Sequence, residues 1–390
     1  MVRVITVGCR LNQAEGNRLA NLSPVLEQSS VLGSNLIIVN TCAVTREAAS
    51  TSWKMIRRCI NNSKLKTKSS KLIVTGCLAT IERDKMLSTP GIDAVITQKE
   101  KVDLLELNKS PAMMINNNRS RPVVKIQDGC PNQCSFCIAC TIRGKPKSLV
   151  PQAVLDEITV LSNAGYQEIV LTGLNLGSYG IDIDYSLAEL LESFDYNSYR
   201  IRLSSIEPET ITDELLDLWQ TKRLCRHLHI PLQSGDDRIL KQMQRKYTVD
   251  EYRRLFNKVF DKISGVNIGA DVIVGFPDED EPAFNNTLKL IEELPFGYLH
   301  VFPYSPRPGT ESAKFIDNVA PEDKKERVRI LREISNKKKL DFHKRFINRN
   351  LEVLVEQNNF GLSDNYIRVS IPERSNYRKG QIYNIKYWGD

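Results

Sequence analysis

The sequence predicts an α/β protein in three parts: a small N-terminal α/β domain with a parallel sheet, a central partial (β/α)6 barrel, and a small all-β C-terminal module. Three observations lead there. Short apolar runs alternate with polar helical stretches through most of the chain, which is the pattern of βαβ units. Six of the nine cysteines form two sets of three, one compact and one whose members each stand at the end of a short apolar run. The last 40 or so residues carry strand-like runs and turn residues with no helical period.

Length and composition agree. At 390 residues the chain has room for two or three domains. It is 41% hydrophobic and 26% charged, as expected of a protein with real cores. Its net charge of +7 permits a polyanionic partner without requiring one. No apolar run reaches the ~18 residues that span a membrane. The first residues, Met1-Val-Arg-Val-Ile-Thr-Val-Gly-Cys, alternate like a strand and lack the apolar core of a signal peptide. A cytoplasmic protein is expected, in which cysteines serve as thiols or metal ligands and not as disulfides.

Residues 1–106 form the first predicted domain, with strands at 2–7, 35–40, 71–75 and 94–97. Cys9, Cys42 and Cys77 each follow one of them, within Val-Gly-Cys, Asn-Thr-Cys and Thr-Gly-Cys. Ligands of open α/β sheets gather outside the carboxyl ends of the strands, so three such loops can bring three thiols together. The polar stretch 61–71 reads as an exposed loop, with RNA contact as the alternative. Cys59 falls in a predicted helix and reads as a packing residue.

Residues 107–121 read as a linker, and residues 122–345 as the barrel. Its strands are predicted at 122–127, 168–172, 199–204, 227–233, 266–276 and 298–304. The compact set, Cys130-x-x-x-Cys134-x-x-Cys137, lies beyond the first strand, where barrel chemistry sits. Cys225, just before a strand, reads as packing. The charged stretch 320–349 is a helix whose basic residues form either a solvated face or part of a nucleic-acid footprint. Residues 346–390 are the β module, whose aromatics Phe360, Tyr366, Tyr377, Tyr383, Tyr387 and Trp388 divide between its core and base stacking. Arg368, Arg374, Arg378 and Lys379 are its candidate phosphate contacts.

A 4Fe-4S cluster takes four ligands, usually thiolates, so a three-cysteine set leaves one iron open. Two such sets imply two open-iron clusters and two chemical jobs. Structural zinc is the competing use of the compact set, with Cys140 as fourth ligand in Cys134-x-x-Cys137-x-x-Cys140.

The compact set resembles the signature of the radical S-adenosylmethionine (SAM) enzymes, in which SAM chelates the fourth iron and is cleaved to a 5′-deoxyadenosyl radical. Later strand ends continue the resemblance. Leu171-Thr-Gly-Leu-Asn-Leu-Gly is similar to the segment that contacts the SAM amino group, implying roles for Thr172, Gly173 and Asn175. Arg202-Leu-Ser-Ser-Ile-Glu-Pro resembles the ribose-side motif, implying Ser204 and Glu207. His229-Ile-Pro-Leu-Gln-Ser-Gly with Met243-Gln-Arg-Lys-Tyr implies Gln233 and Arg245. Asp271-Val-Ile-Val-Gly-Phe-Pro resembles the adenine-side segment, implying Asp271 and Gly275.

With the dispersed cysteines and the β module, nearly the whole chain resembles the radical SAM methylthiotransferase family, whose N-terminal cysteines hold a second 4Fe-4S cluster and whose β module is the RNA-binding TRAM domain. The wording Thr6-Val-Gly-Cys-Arg-Leu-Asn-Gln-Ala-Glu resembles the MtaB-type branch, which modifies N6-threonylcarbamoyladenosine in tRNA beside the anticodon. Other branches act on isopentenyladenosine in tRNA or on a ribosomal-protein aspartate. The resemblance implies tRNA and SAM as partners, an electron donor such as flavodoxin or ferredoxin, and a sulfur source. It assigns no catalytic side chain beyond the cluster ligands. Two departures stand out. Ile138-Ala-Cys-Thr replaces the family's Ile-Pro-Tyr, which makes Cys140 a stray ligand candidate, and Asp278 replaces a glycine, which restricts the turn if that position needs positive φ.

Overall fold

The computed structural model describes residues 2–22, 35–61, 70–107, 119–357, 359–371 and 376–389. Most of the predicted linker, the basic loop 62–69 and Arg374 lie outside the described residues.

Strands β1 (Val2–Thr6), β2 (Asn35–Thr41), β3 (Ser70–Gly76) and β4 (Ala94–Ile96) form one sheet in the order β1-β2-β3-β4. Every pairing is parallel. The central strands are apolar on both faces because both are covered. Ile37, Val39, Leu72 and Val74 pack with Ile56 and Cys59 of helix Arg46–Asn61. Leu36, Ile38 and Ile73 pack on the opposite face with Leu19 of helix Arg10–Asn21. All strands therefore deliver their carboxyl ends, and the cysteines beyond them, to one edge.

The central domain contains β5 (Val123–Lys125), β6 (Gln127–Asp128), β7 (Lys147–Ser148), β8 (Glu168–Thr172), β9 (Arg200–Leu203), β10 (His227–His229), β11 (Asn267–Val274) and β12 (Tyr298–Pro303). Two parallel three-stranded sheets, β5-β8-β9 and β10-β11-β12, meet through a parallel bridge between Ile201 and Leu224. The Ile206 N–H also donates to the His229 carbonyl at 3.0 Å. Six parallel strands thus make the predicted partial barrel. Two predicted strands end early. The first divides at Ile126, where the β6–β7 antiparallel pair closes the neck of the cysteine loop. The fourth is regular only to His229; beyond it an extra residue shifts the register before Gln233, at φ 66°, pairs again with Val272 of β11.

Helix Pro321–Lys344 is amphipathic, not solvated all round: Val328 and Leu331 pack with Leu299 and Val301 of β12, while Lys337 and Lys339 are exposed. Beyond it, β13 (Asn350–Gln357), β14 (Phe360–Ser363), β15 (Arg368–Ser370) and β16 (Ile382–Lys386) form an antiparallel sheet in the order β15-β14-β13-β16. Phe342 and Phe346 seal its core.

This module is locked to the barrel through buried charge. Glu168 is fully buried, and although burial raises its pKa, Arg202 and Arg200 outweigh that and hold the carboxyl well below the usual range. Arg202 then donates to the carbonyls of Ser363 at 2.9 Å and Asp364 at 3.1 Å. Tyr366, at φ 68°, turns into the barrel and stacks on His227 with centroids 4.1 Å apart. Tyr366 is therefore an interdomain wedge and not a base-stacking residue. Among the described residues, no helix is long and apolar enough to cross a membrane.

Candidate active site

The dispersed cysteines converge at the carboxyl edge of the N-terminal sheet. Cys9 caps helix Arg10–Asn21, and Cys77 opens helix Cys77–Ile81. The preceding glycines are required by the backbone. Gly8 has φ 101°, and a Cβ there would lie 2.4 Å from Cys42 Cβ. Gly76 has φ 99°, and a Cβ there would lie 2.4 Å from the Thr41 carbonyl oxygen. Cys42 feels the charges of both Cys9 and Cys77, and burial pushes its thiol up to about 11. Burial also pushes the Cys9 thiol up. Beneath them Asn12 donates to the carbonyls of Val7 and Thr41 at 2.7 and 3.1 Å, tying the first two strand ends together.

The compact set lies in the loop closed by β6 and β7. The Cys130 N–H donates to the Gly144 carbonyl at 3.1 Å, and the Cys137 N–H to the Cys134 carbonyl at 3.0 Å. Polar groups approach the sulfurs: Arg245 Nη1 lies 3.1 Å from Cys134 Sγ, and Asn175 Nδ2 lies 3.7 Å from Cys130 Sγ. Burial raises the Cys130 and Cys134 thiols. Cys140, in helix Ala139–Arg143, donates its thiol to the Cys137 carbonyl at 3.3 Å. A fourth thiol therefore stands beside the compact set. Among the described residues, neither set crowds its sulfurs within 4.8 Å of one another; tetrahedral zinc with Zn–S of about 2.3 Å would hold them near 3.8 Å.

Of the residues implied to face SAM, several join this loop. Arg245 bridges Cys134 to Glu207, whose carboxyl is pushed up by burial. Asn175 accepts no hydrogen bond at its buried Oδ1, and Ser204 Oγ is likewise buried without a partner among the described residues. The orphaned Asn175 oxygen, on a side chain that reaches the Cys130 sulfur, fits a polar ligand such as SAM. Thr172 is buried at the end of β8, and a Cβ on Gly173 would strike Gln127 Oε1 at 2.7 Å. Gln233 lies in the bridge to β11. Asp271 turns its carboxylate to His229 and His300. Gly275 is more remote, its N–H donating to Glu279 at 2.8 Å. The neighbouring Asp278 does take positive φ, 63°, and its carboxylate accepts from Gln242 at 3.1 Å and Asn318 at 2.7 Å.

The C-terminal candidates stand apart from this centre. Arg368 is exposed and lies 3.6 Å over the Phe360 ring, and Arg378 and Lys379 are exposed near the Tyr377–Tyr383 pair. Tyr387 is in the core, while Trp388 is 68% exposed. Cys59 and Cys225 are both buried packing residues, as predicted.

The residues that sequence reasoning missed connect the two cysteine sets. Glu15, Lys101, Lys125, Arg143 and Asp128 form a buried charge network. Glu15 meets Lys101 at 2.6 Å, Lys125 at 2.7 Å and Arg143 at 2.8 Å, and Arg143 also meets Asp128 at 3.0 Å. Burial raises the Glu15 carboxyl, but the three cations hold it well below the usual range. Arg143, three residues past Cys140, also acts on Cys9 and Cys77, so one guanidinium serves both cysteine regions. The available signal was weak: Asn12 and Glu15 share the buried, otherwise apolar face of helix Arg10–Asn21.

Fold and site together define a radical SAM enzyme with a second three-cysteine domain. Residues 124–291 match the radical SAM superfamily, and residues 1–97 match the family described as uncharacterized protein family UPF0004. Among curated relatives, the threonylcarbamoyladenosine tRNA methylthiotransferases MtaB of Thermotoga maritima and Bacillus subtilis are each 35% identical. They cover 91% and 93% of this chain, and 86% and 88% of their own lengths. The tRNA-2-methylthio-N(6)-dimethylallyladenosine synthase of Endomicrobium trichonymphae is 31% identical, covering 90% of this chain and 88% of its own. A solved radical SAM methyltransferase, TsrM of Kitasatospora setae, superposes with a TM-score of 0.56 at 13% identity, over 80% of this chain and 76% of that one. The chain belongs to the MtaB-type family of radical SAM methylthiotransferases. It is an enzyme that uses SAM and 4Fe-4S clusters.

Proposed function

We propose that this enzyme converts N6-threonylcarbamoyladenosine in tRNA, next to the anticodon, to its 2-methylthio derivative. The observation that carries this reading is that Arg143, three residues past Cys140, pairs with Glu15 and acts on Cys9 and Cys77, which links the two cysteine sets. Cys130, Cys134 and Cys137 would hold the cluster that binds SAM, and Cys9, Cys42 and Cys77 the second. When bound, clusters and SAM supply radical and sulfur-transfer chemistry that no side chain can perform.

The chain's own residues do the rest. Arg245 places a cation against the Cys134 sulfur and fixes Glu207 beside it. Asn175 and Ser204 offer unpaired polar atoms to the SAM side. Exposed Arg368, Arg378 and Lys379, with Arg374, would give phosphate contacts, so binding should weaken as salt rises. The same reading assigns residues 1–106 to the second cluster, 122–345 to the SAM barrel and 346–390 to a TRAM-like module, joined by the linker 107–121. An electron donor such as flavodoxin or ferredoxin, a sulfur source and a cytoplasmic setting complete it.

The Endomicrobium trichonymphae relative supports a second substrate, isopentenyladenosine in tRNA. Expression in a bacterium lacking its own threonylcarbamoyladenosine methylthiotransferase, followed by mass spectrometry of tRNA nucleosides, separates the two. The 2-methylthio form of threonylcarbamoyladenosine is the expected product. The isopentenyladenosine derivative alone would reverse the substrate assignment, and neither product with both clusters intact would turn attention to a protein substrate.

A further inference from the structure

Strand β12 presents two unlike faces. Leu299 and Val301 pack outward under helix Pro321–Lys344, so Tyr298, His300 and Phe302 face the barrel interior. Tyr298 is closed in: its hydroxyl meets His227 Nε2 at 2.9 Å and His229 Nδ1 at 3.1 Å, and its ring stacks near Tyr366. His300 and Phe302 remain open, with 55% of the His300 side chain and 37% of Phe302 exposed. His300 Nδ1 lies 3.2 Å from Asp271 Oδ1, and the same oxygen meets His229 Nε2 at 3.0 Å. The Asp271 carboxylate thus orients both imidazoles and leaves the Nε2 edge of His300 toward the open interior.

This open stripe is linked through its neighbours to both cysteine sets. On one side Asp271 acts on Glu207, which is paired with Arg245 at Cys134. On the other, the loop leaving β12 carries Arg307, which donates to the carbonyl of Ala43, next to Cys42, at 2.6 Å. The open face of β12, with His300 and Phe302, is thus tied through its neighbours to both sets.

We propose that His300, held by Asp271, is the specificity-determining contact for the polar end of the substituent on N6 of the target adenosine, with Phe302 as the flat surface against the purine. This rests on the tRNA-adenosine reading above and deepens it by naming what selects the substituent. A threonylcarbamoyl group carries a carboxylate, a hydroxyl and a ureido unit. With Nδ1–H on Asp271, the imidazole presents Nε2, which accepts from the hydroxyl or a ureido N–H of such a group and, when the ring is protonated, donates to its carboxylate. An isopentenyl group offers no partner, and would cover these polar atoms without satisfying them. Phe302 suits any purine, because base–aromatic stacking is insensitive to sequence.

The test uses the full chain with its clusters reconstituted and three anticodon stem-loop RNAs, whose target adenosine is unmodified, isopentenylated or threonylcarbamoylated. Affinities are read by fluorescence anisotropy at one salt concentration for the wild type and for His300→Phe, which keeps the ring and removes both nitrogens. Iron content serves as the folding control. The wild type should prefer the threonylcarbamoyl RNA to the isopentenyl RNA by roughly tenfold or more, about the worth of one good buried hydrogen bond. His300→Phe should bring that ratio close to one, with the loss confined to the threonylcarbamoyl RNA and appearing in KM more than in kcat. A ratio unchanged in the variant would overturn the role of His300 while leaving the substrate reading intact. A wild type that binds all three RNAs alike would overturn the substrate reading and this inference together. Stoichiometric uptake of a third metal by the wild type, lost in His300→Phe, would make the cluster a two-histidine, one-carboxylate metal site instead.

Discussion

The two cysteine sets of this enzyme are assembled by different structural means. The compact set spans residues 130–137 in one loop, and its separations are set largely by the chain itself, with the β6–β7 pair closing the neck. The dispersed set draws Cys9, Cys42 and Cys77 from three strand ends that become neighbours only when a parallel sheet has formed. One site is local and the other is a product of the fold. Both need a glycine at positive φ before a cysteine, Gly8 and Gly76 in the fold-built site and Gly129 in the local one, but only the fold-built site needs a side chain, Asn12, to tie two strand ends together.

Single-cysteine variants break the comparison most sharply. Cys134→Ala should abolish reductive SAM cleavage altogether. Cys42→Ala should retain 5′-deoxyadenosine formation but yield no methylthio product. Anaerobically reconstituted wild type should carry about eight irons per chain, the sum of two four-iron clusters, and each variant about four. Equal loss of SAM cleavage in both variants would show that the sets are not separate sites.

The next largest effect should come from the network that joins them. Glu15→Gln leaves Lys101, Lys125 and Arg143 without their shared carboxylate, and removing one partner of a buried ion pair costs about 3–5 kcal/mol. Anaerobic urea denaturation measures this directly. In the wild type the folded carboxyl is depressed, so its contribution is present above the unfolded value near pH ~4.3. It is lost as pH falls through that value toward the folded one. Glu15→Gln should therefore show a shallower acid limb, and an unaltered limb would argue against a charged Glu15.

Gly8→Ala sharpens the contrast with the smallest expected effect. At φ 101° any side chain is strained, at about 1–3 kcal/mol, and the new Cβ would strike Cys42. Iron should fall at the dispersed set alone, with SAM cleavage retained. Loss of iron at both sets would mean that the N-terminal sheet also supports the compact loop.

Much of the architecture was legible beforehand, for identifiable reasons. β8 occupies residues 168–172 as predicted, because Glu-Ile-Val-Leu-Thr is short, apolar and bounded by turn residues. The strand ends carrying Cys9, Cys42 and Cys77 were visible through the same alternation. Tyr366 was left between the module's core and base stacking, because nothing in a short β run distinguishes a ring aimed at its own core, at RNA or at a neighbouring domain. His300 passed unnoticed because a strand's alternation tells which residues share a face but not whether that face is closed.

By itself, then, the sequence determined the family, the fold class and the order of most strands and helices. Those properties depend on periods of a few residues and on cysteine spacing within a loop. Only the tertiary structure decided that Glu15 meets Arg143, that Tyr366 wedges against His227, and that Asp271 holds His229 and His300 together. Each of those contacts joins segments dozens to more than a hundred residues apart, and whether a buried charge or ring finds its partner is settled by packing rather than by any local pattern.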